Sequence, residues 1–297
     1  MRKFSIALLL AVTVAANVAA QKEQVGKPQR PIDWYLQQYP FIQYKGIVFS
    51  FENQFDWPGG FSRIDSAKLT PFQFWVSNLP LWFKERPVGS LKHGEVYKAD
   101  SVSRVVHLPW RALDFSDRII PLQLMADYLF IKGMDDQMNT ITPSGDTLTF
   151  DRFLSGTVTY GSRGEIHWTL SPRRAPSEDE YDRYFALIVS NTDYRSLLRN
   201  CEPVADSALL PGDIYVNCDS NGVKGRVAIT LVTIQNANGN RLYIFGTGCP
   251  DECDFHIPLF NNRRDYPWTT ADEVAKLMGP PKGISGFYRI KLPAAKN

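Results

Sequence analysis

The sequence predicts an α+β fold in which helices pack against a central antiparallel sheet. Residues 209–247 alternate between short polar turns and apolar stretches, which is typical of successive antiparallel strands. Three capping-box sequences, beginning at Thr70, Ser177 and Thr270, each precede a stretch with helical character. Neither an internal repeat nor a linker-like composition divides the chain, so these elements are expected to belong to one domain.

The N-terminal elements are predicted to be short. A short helix is expected before Pro40, and Gly46–Phe51 predicts a strand. The next helix is expected to begin at Pro71, because Thr70 and Gln73 form a capping box and proline suits the first helical position.

A strand and a longer helix are predicted next. Polar and apolar residues alternate between Val102 and His107, as in a half-buried strand. A helix is expected within Leu113–Gly133, with Ser116 or Asp117 capping its start, Pro121 within its first turns and the glycine ending it.

The middle of the chain predicts turns, one strand and one long helix. Residues 140–164 are rich in turn-forming residues, whereas Glu165–Leu170 predicts a strand. The capping box at Ser177 predicts a helix over Glu178–Arg199, with acidic residues at the positive end of the helix dipole.

The C-terminal third predicts most of the central sheet. A helix is expected to follow Thr270 and to end at Gly279. The expected strands are Ile214–Val216, Val227–Ile234, Arg241–Phe245, Asp254–Phe260 and Phe287–Leu292.

The first 20 residues are predicted to be a secretory signal peptide that is cleaved before Gln21. Arg2 and Lys3 precede an apolar run that is too short for a stable span of about 20 residues, although a retained anchor helix is the alternative. The predicted organisation is a signal over residues 1–20, a polar segment with a short helix over residues 21–45, and a single domain over residues 46–297. The mature protein is then expected in the periplasm or outside the cell, without a membrane span.

The charge balance argues against a nucleic-acid partner. Removal of residues 1–20 takes two of the 33 Lys and Arg residues and none of the 31 Asp and Glu residues. The mature chain is then formally neutral, whereas nucleic-acid binding needs a surplus of cations. A polybasic membrane patch is disfavoured for the same reason.

The four cysteines all lie in the C-terminal third of the chain. An even number in an exported protein favours disulfides, and four cysteines allow three pairings. The short loop Cys249–Cys253 could close on itself, which would leave Cys201 to pair with Cys218. The alternative is a zinc site formed by Cys249, Cys253 and His256, although a fourth ligand is not evident.

The sequence contains no common enzyme motif and no cofactor fingerprint. It has no phosphate-binding loop, dinucleotide fingerprint, zinc-protease motif or serine-hydrolase elbow, so no cofactor or metal is predicted. His256 follows the cysteine loop and could act as a general base or a ligand. On an apolar strand, however, such a histidine is more often a hydrogen-bonded structural residue.

Five segments occur in a characteristic order: FWVSNLPL at Phe74–Leu81, ADYLFIKG at Ala126–Gly133, PGDIYV at Pro211–Val216, DFHI at Asp254–Ile257 and YPW at Tyr266–Trp268. In that order they resemble the motifs WLRxLPL, AEYLYxxG, PGDVFI, DIHI and SPWY of DUF4846, a family of exported bacterial proteins. The resemblance extends over residues 60–293 and depends on the order and spacing of the motifs.

That family in turn resembles the papain-like cell-wall hydrolases of the NlpC/P60 type, which implies a papain-like core. Their chemistry uses a cysteine at a helix N-terminus, a histidine on a neighbouring strand and a polar residue on the next strand. In this sequence the cysteine position falls near Asp117, the histidine position is Arg226 and the third position falls near Thr247. This set cannot perform thiol chemistry, because an arginine stays protonated and accepts no proton. Asp117 and Arg226 could instead form an ion bridge across the former cleft.

The resemblance therefore implies a catalytically degenerate papain-like domain that binds a peptide or a cell-wall fragment without cysteine-hydrolase activity. Its candidate cleft residues are Asp117, Arg226, Thr247 and His256. One alternative is an active cell-envelope hydrolase with an unrecognised site, such as His256 with a carboxylate. The other is a structural component of the envelope.

Overall fold

The computed structural model describes residues 32–42, 47–48, 51–111, 115–161 and 165–292. The predicted signal peptide, residues 1–20, and the polar segment up to residue 31 lie outside the described residues. None of the helices in the described ranges combines the length and the apolar character that a membrane crossing requires.

The described residues form seven α-helices, which are α1 Ile32–Gln38, α2 Pro71–Val76, α3 Ile120–Ile131, α4 Phe150–Leu154, α5 Glu178–Ser190, α6 Tyr194–Arg199 and α7 Ala271–Leu277. Thr70 and Thr270 make reciprocal capping boxes with Gln73 and Glu273, as predicted. Ser177 caps α5 by accepting a hydrogen bond from the backbone of Glu180 over 3.2 Å.

Ten short strands precede the C-terminal third in the described residues: β1 Ile47–Val48, β2 Phe61–Arg63, β3 Leu81–Trp82, β4 Val88–Ser90, β5 Gly94–Tyr97, β6 Val102–Val105, β7 Asn139–Ile141, β8 Thr147–Thr149, β9 Gly156–Tyr160 and β10 Ile166–Leu170. Six more follow: β11 Cys201–Pro203, β12 Ile214–Asp219, β13 Gly225–Asn236, β14 Arg241–Thr247, β15 His256–Pro258 and β16 Gly283–Ile290.

Eight strands form the central sheet, in the order β11-β16-β12-β13-β14-β15-β6, and β2 pairs with the C-terminal end of β13. Its pairings are antiparallel. This arrangement confirms the α+β class and the central antiparallel sheet. The strands predicted within residues 209–247 are all present, and they are longer than expected because their hydrogen-bonded neighbours extend them.

The long strand β13 is buried on both faces of the sheet. Ala228 packs in a cluster with Val274 of α7, whereas Val227 and Ile229 pack in the larger core cluster, which also includes buried residues of α3 and α5. Coverage of both faces explains why this strand is apolar almost throughout rather than alternating. It also fixes the position of the strand's first residues, where the candidate site lies.

The predicted helix over Leu113–Gly133 is wrong at its start. The helix begins at Ile120, with proline in its first turn, and neither Ser116 nor Asp117 caps it. Pro121 lacks an N–H and suits the first turn, so the preceding residues are released into a turn. The predicted end is confirmed, because Gly133 adopts a positive φ of 64° directly after the C-cap.

The predicted helix over Glu178–Arg199 is also wrong, since it is divided into α5 and α6. The side chains of Asn191 and Thr192 donate to the carbonyls of Leu187 and Ile188, each over 2.8 Å. Asp193 then caps the new helix by accepting from the backbone of Ser196 over 2.9 Å. Short polar side chains compete with the helical backbone in this way. The break places Tyr194 at the start of α6, facing the candidate site.

Other sequence predictions differ in extent. Residues 140–164, which were expected to be turns, contain parts of β7, β8, α4 and β9, elements too short for a recognisable periodicity. The strand expected over Gly46–Phe51 is described only at Ile47–Val48, and Phe51 begins a short 3₁₀ turn. The strand expected over Asp254–Phe260 is limited to His256–Pro258.

Candidate functional site

Three predicted cleft residues meet at one end of the central sheet. Asp117 lies in the turn before α3, Arg226 is the second residue of β13, and Thr247 is the last residue of β14. The peptide groups of Val227 join them, because its N–H donates to Asp117 Oδ2 over 2.9 Å and its carbonyl accepts from Thr247 Oγ1 over 2.7 Å. The structure thus brings together residues that are distant in the sequence.

The backbone of Asp117 is held by the loop that follows β14. Its N–H donates to the carbonyl of Cys249 over 2.9 Å. A Cβ atom at Gly248 would lie 3.1 Å from Asp117 Cα and 2.7 Å from Ile120 Cδ1. The close approach of this loop to the turn before α3 therefore requires a glycine.

The Asp117 carboxylate is fully buried and both of its oxygens accept hydrogen bonds. Tyr194 donates to Oδ1 over 2.7 Å, and the Val227 N–H donates to Oδ2. Burial raises the pKa of Asp117, while these two hydrogen bonds and the charge of Arg226 act in the opposite direction. Burial likewise raises the pKa of Tyr194, with a further contribution from the charge of Asp117. A carboxylate bound in this way is not exposed to attack a substrate.

The predicted ion bridge between Asp117 and Arg226 is present. Arg226 Nε lies 3.4 Å from Asp117 Oδ2, and the arginine side chain is 33% exposed. Among the described residues, this Nε atom has no hydrogen-bond partner. The guanidinium is therefore drawn to the buried carboxylate by charge but is not locked to it, and part of it faces solvent.

Thr247 and His256 lie beside this pair but are engaged in structural contacts. The two residues are directly opposite each other in the pairing of β14 with β15. His256 is buried, and its Nδ1 lies 2.9 Å from the carbonyl of Asp254. Because a carbonyl only accepts, Nδ1 carries the proton. Burial lowers the pKa of His256 to about 4, so its ring is neutral near neutral pH. These contacts match the structural interpretation of this histidine.

A cleft of about 810 Å³ opens beside Arg226. Its basic lining residues come from several parts of the chain: Lys92, Arg118, Lys224, Arg226 and Lys282. Asp251 is the acidic residue of the lining, and the remaining wall is mainly apolar or backbone. The cleft is thus strongly cationic, although the whole chain has a formal net charge of only +2.

The loop closed by the Cys249–Cys253 disulfide forms one wall of the cleft. Glu252 at its tip accepts hydrogen bonds from Ser90 Oγ and from the Lys92 N–H, each over 3.0 Å. Asp254 accepts from the Gly89 N–H over 2.9 Å. The loop therefore ties the hairpin of β4 and β5 to the turn that carries Asp117.

The structure confirms the predicted disulfide between Cys249 and Cys253 and corrects the second one. Cys201 and Cys218 are separate buried thiols. In the sheet, Cys201 lies opposite Ile290 of β16, and Cys218 lies opposite Ile284 of the same strand. These two positions of β16 are about 20 Å apart, at about 3.3 Å per residue of strand. A disulfide requires Cα atoms within about 7 Å, so the pairing is geometrically impossible. Burial raises the pKa of Cys201 to about 12, which keeps this thiol unreactive.

The zinc alternative does not fit this arrangement. Cys249 and Cys253 are joined to each other, and the described residues contain no group of three or more His, Cys, Asp and Glu residues placed to hold a metal ion.

Sequence reasoning did not identify Tyr194 or most of the cationic lining. The signal for Tyr194 was the run Asn191-Thr192-Asp193, which ends one helix and caps the next. The Lys224-Gly225-Arg226 doublet was visible as two basic residues at a strand start. Lys92, Arg118 and Lys282 had no local signal, since only the tertiary structure places them together.

A family model described as a domain of unknown function, number 4846, matches residues 51–282 of the chain. This range includes Asp117, Arg226, the disulfide loop and nearly all of the central sheet. No curated protein and no solved structure matches the chain.

Proposed function

We propose a function for this chain, which belongs to the DUF4846 family: it is an exported binding protein with a catalytically degenerate, papain-like domain. Its cleft beside Asp117 and Arg226 binds a peptide or a cell-wall fragment without cleaving it.

The observation that carries this proposal is the ion pair at the base of an open cleft. The 3.4 Å contact joins Asp117 and Arg226, which the resemblance to papain-like hydrolases aligns with their cysteine and histidine. On that alignment, neither side chain can replace the nucleophile or the base. The adjoining cleft, at about 810 Å³, lies within the range of about 300–1,000 Å³ typical of ligand sites.

The local chemistry supports binding more than hydrolysis. Arg226 cannot accept a proton, and both oxygens of Asp117 are occupied by buried donors. The Thr247 hydroxyl donates to the Val227 carbonyl, so it is not activated by a base. The half-exposed guanidinium, by contrast, is suited to bind a carboxylate of a ligand.

A thermal-shift screen of the full mature chain tests the binding function. Soluble fragments from an enzymatic digest of bacterial cell wall are expected to raise the melting temperature, since a ligand that binds only the folded state stabilises it. Neutral sugars and divalent metals serve as comparison ligands in the same screen. If no digest component changes the melting temperature, a structural role in the envelope replaces the binding function.

The absence of catalysis is tested separately, by incubating the chain with the same digest and following the release of new amino termini. We expect no release above a buffer control. Hydrolysis that persists after thiol alkylation and disappears in Arg226→Ala would falsify the proposal. Hydrolysis that disappears in His256→Ala but not in Arg226→Ala would instead establish a different active site.

A further inference from the structure

We propose that the ligand of this cleft is an acidic peptide, with carboxylates bound by the cationic lining and apolar side chains packed on the apolar lining residues. This inference rests on the proposed function, because it specifies the ligand class of the same cleft.

The charges of the lining are only partly neutralised within the protein. Arg226 is paired with the buried Asp117, and Lys92 Nζ lies 3.1 Å from Glu252. Lys224 and Lys282 are exposed, and in the described part of the chain no carboxylate lies within ion-pairing distance of either ammonium group. A cleft with an excess of unpaired cations concentrates anionic ligands and favours their binding.

The cations are distributed around the cleft because they come from separate elements. Lys92 lies in the turn between β4 and β5, Arg118 precedes α3, Lys224 and Arg226 flank the start of β13, and Lys282 precedes β16. A cleft of about 810 Å³ with charges on several sides is much larger than a single phosphate or carboxylate requires. The distribution favours a ligand whose negative charges are separated along its length.

The apolar residues of the lining indicate that the ligand also has apolar side chains. Val223 is 64% exposed and Leu277 is 44% exposed, which makes them two of the most exposed large apolar side chains in the described residues. Pro250, Met278 and Pro280 also line the cleft. Apolar side chains of a ligand would cover this surface, and their burial would contribute to affinity. A peptide with alternating acidic and apolar residues satisfies both parts of the lining, whereas a simple polyanion satisfies one.

Fluorescence anisotropy with labelled synthetic hexapeptides tests this inference on the full mature chain. The probe alternates glutamate and leucine, and its neutral counterpart alternates glutamine and leucine. We expect the acidic peptide to bind at least about tenfold more tightly than the neutral one, a ratio that corresponds to about 1.4 kcal/mol. Its affinity should fall as the Debye length shortens from about 30 Å at about 0.01 M salt to about 10 Å at about 0.1 M salt.

Charge-reversal variants test whether the preference for the acidic peptide arises in the cleft. The double variant Lys224→Glu with Lys282→Glu should weaken acidic-peptide binding by about tenfold or more. The matched control, Lys68→Glu with Lys98→Glu, changes two exposed lysines outside the cleft and alters the net charge equally. It should change the affinity by less than about twofold, because exposed charges that do not line the cleft are largely screened. An equal effect of both variants overturns the inference.

The remaining outcomes separate the two proposals. If the neutral peptide binds as tightly as the acidic one, the ligand class is wrong while a peptide-binding function stands. If inorganic phosphate displaces the probe as effectively as unlabelled acidic peptide, the cleft is a phosphate site and the peptide assignment is wrong. If neither peptide binds and the cell-wall digest leaves the melting temperature unchanged, both proposals fail.

Discussion

Asp117 and Asp127 form two similar acidic centres, one before α3 and one within it. Each carboxylate is fully buried, and each accepts a hydrogen bond from a tyrosine, Tyr194 over 2.7 Å and Tyr181 over 2.8 Å. Each also lies next to an arginine. Burial raises the pKa of both aspartates, while the neighbouring arginine and the hydrogen bonds act against it. The carboxylates alone therefore do not distinguish the two centres.

The arginines do distinguish them. Arg111 is 8% exposed, and its Nε donates to Asp127 over 3.1 Å. Its Nη1 also donates to Glu178 over 2.8 Å and to Asp182 over 3.1 Å. Arg226 is 33% exposed, and its Nε makes only the longer 3.4 Å contact with a carboxylate.

The Asp127 centre is a closed network, in which carboxylates of the protein bind the arginine, whereas the Asp117 centre is open to the cleft. At Asp127 the protein itself uses the donors of the arginine, so the centre stabilises the packing of α3 against α5. At Asp117 the tyrosine and a backbone N–H satisfy the carboxylate, and the arginine keeps part of its binding capacity for the cleft. The direction of the pKa shift is thus the same at both centres, and they differ in how many donors of the arginine are engaged within the protein.

Removal of each carboxylate should produce the largest effect. Asp127→Ala leaves the buried Tyr181 hydroxyl without its acceptor and leaves Arg111 with its more exposed partners Glu178 and Asp182, so it should lower the free energy of unfolding by about 3–5 kcal/mol. Asp117→Ala should cost less, about 1–3 kcal/mol, because Arg226 can turn into solvent. Urea denaturation measures both values.

Asp100→Ala, at an exposed position, serves as the control and should change stability by less than about 0.5 kcal/mol. If Asp117→Ala proves as costly as Asp127→Ala, the first centre is as closed as the second.

Acidification should lower the contribution of His256, which lies beside the Asp117 centre, to the free energy of unfolding. Burial lowers the pKa of His256 to about 4, whereas the unfolded chain binds the proton near the ordinary value of about 6.5. At His256 the unfolded state therefore binds more protons between these values, so the contribution of this residue to stability is lost as the pH falls from about 6.5 to about 4. This contribution is up to about 3 kcal/mol, and the buried His107, with its pKa also lowered to about 4, acts in the same direction.

The measurement is urea denaturation at a series of pH values. His256→Gln should reduce the dependence on pH, because it removes the buried imidazole whose pKa is lowered. An unchanged pH profile in His256→Gln contradicts the buried, neutral state of this histidine.

Loss of the disulfide should affect the Asp117 side and spare the Asp127 side. The double variant Cys249→Ser with Cys253→Ser should lower stability by about 2 kcal/mol, given the short loop that the disulfide closes. It should also weaken acidic-peptide binding, since the loop holds both Asp117 and the hairpin with Lys92.

Reductant should destabilise the wild type by a similar amount and have no effect on the double variant. A further loss of stability in the reduced double variant is inconsistent with a single disulfide in the protein.

Replacement of each arginine should affect stability differently, and the change should be smallest for Arg226 at the Asp117 centre. Arg226→Gln should cost less than about 1 kcal/mol, because its ion pair is partly exposed, yet it should weaken peptide binding markedly. Arg111→Gln should show the reverse pattern, a loss of stability with unchanged binding. Combined denaturation and anisotropy measurements on both variants decide whether the two centres differ as described.

Local sequence signals predicted much of the fold. The strands β12, β13 and β14 follow from apolar runs separated by turns, and the caps at Thr70 and Thr270 follow from their spacing to Gln73 and Glu273. The disulfide was predictable because its loop is short. These features depend on residues within a few positions of one another.

The errors arose where two local preferences compete. In residues 178–199 the helical pattern continues through Asn191 and Thr192, whose side chains nevertheless bond to the preceding carbonyls and end the helix. Before α3, Ser116 and Asp117 are suited to cap a helix, but Pro121 favours the first turn and the helix begins at Ile120. Pattern alone does not rank such alternatives, because tertiary contacts supply the difference in free energy.

By itself, the sequence determined the class of fold, the helix caps at Thr70, Ser177 and Thr270, the main strands and the family resemblance through which Asp117 and Arg226 were predicted to pair. Only the tertiary structure shows that a chain with a formal net charge of +2 has a strongly cationic cleft. Composition counts charges without position, whereas the strength of an electrostatic interaction depends on distance. Five basic residues scattered from Lys92 to Lys282 have no common signal in the sequence, and the fold alone places them around one cleft.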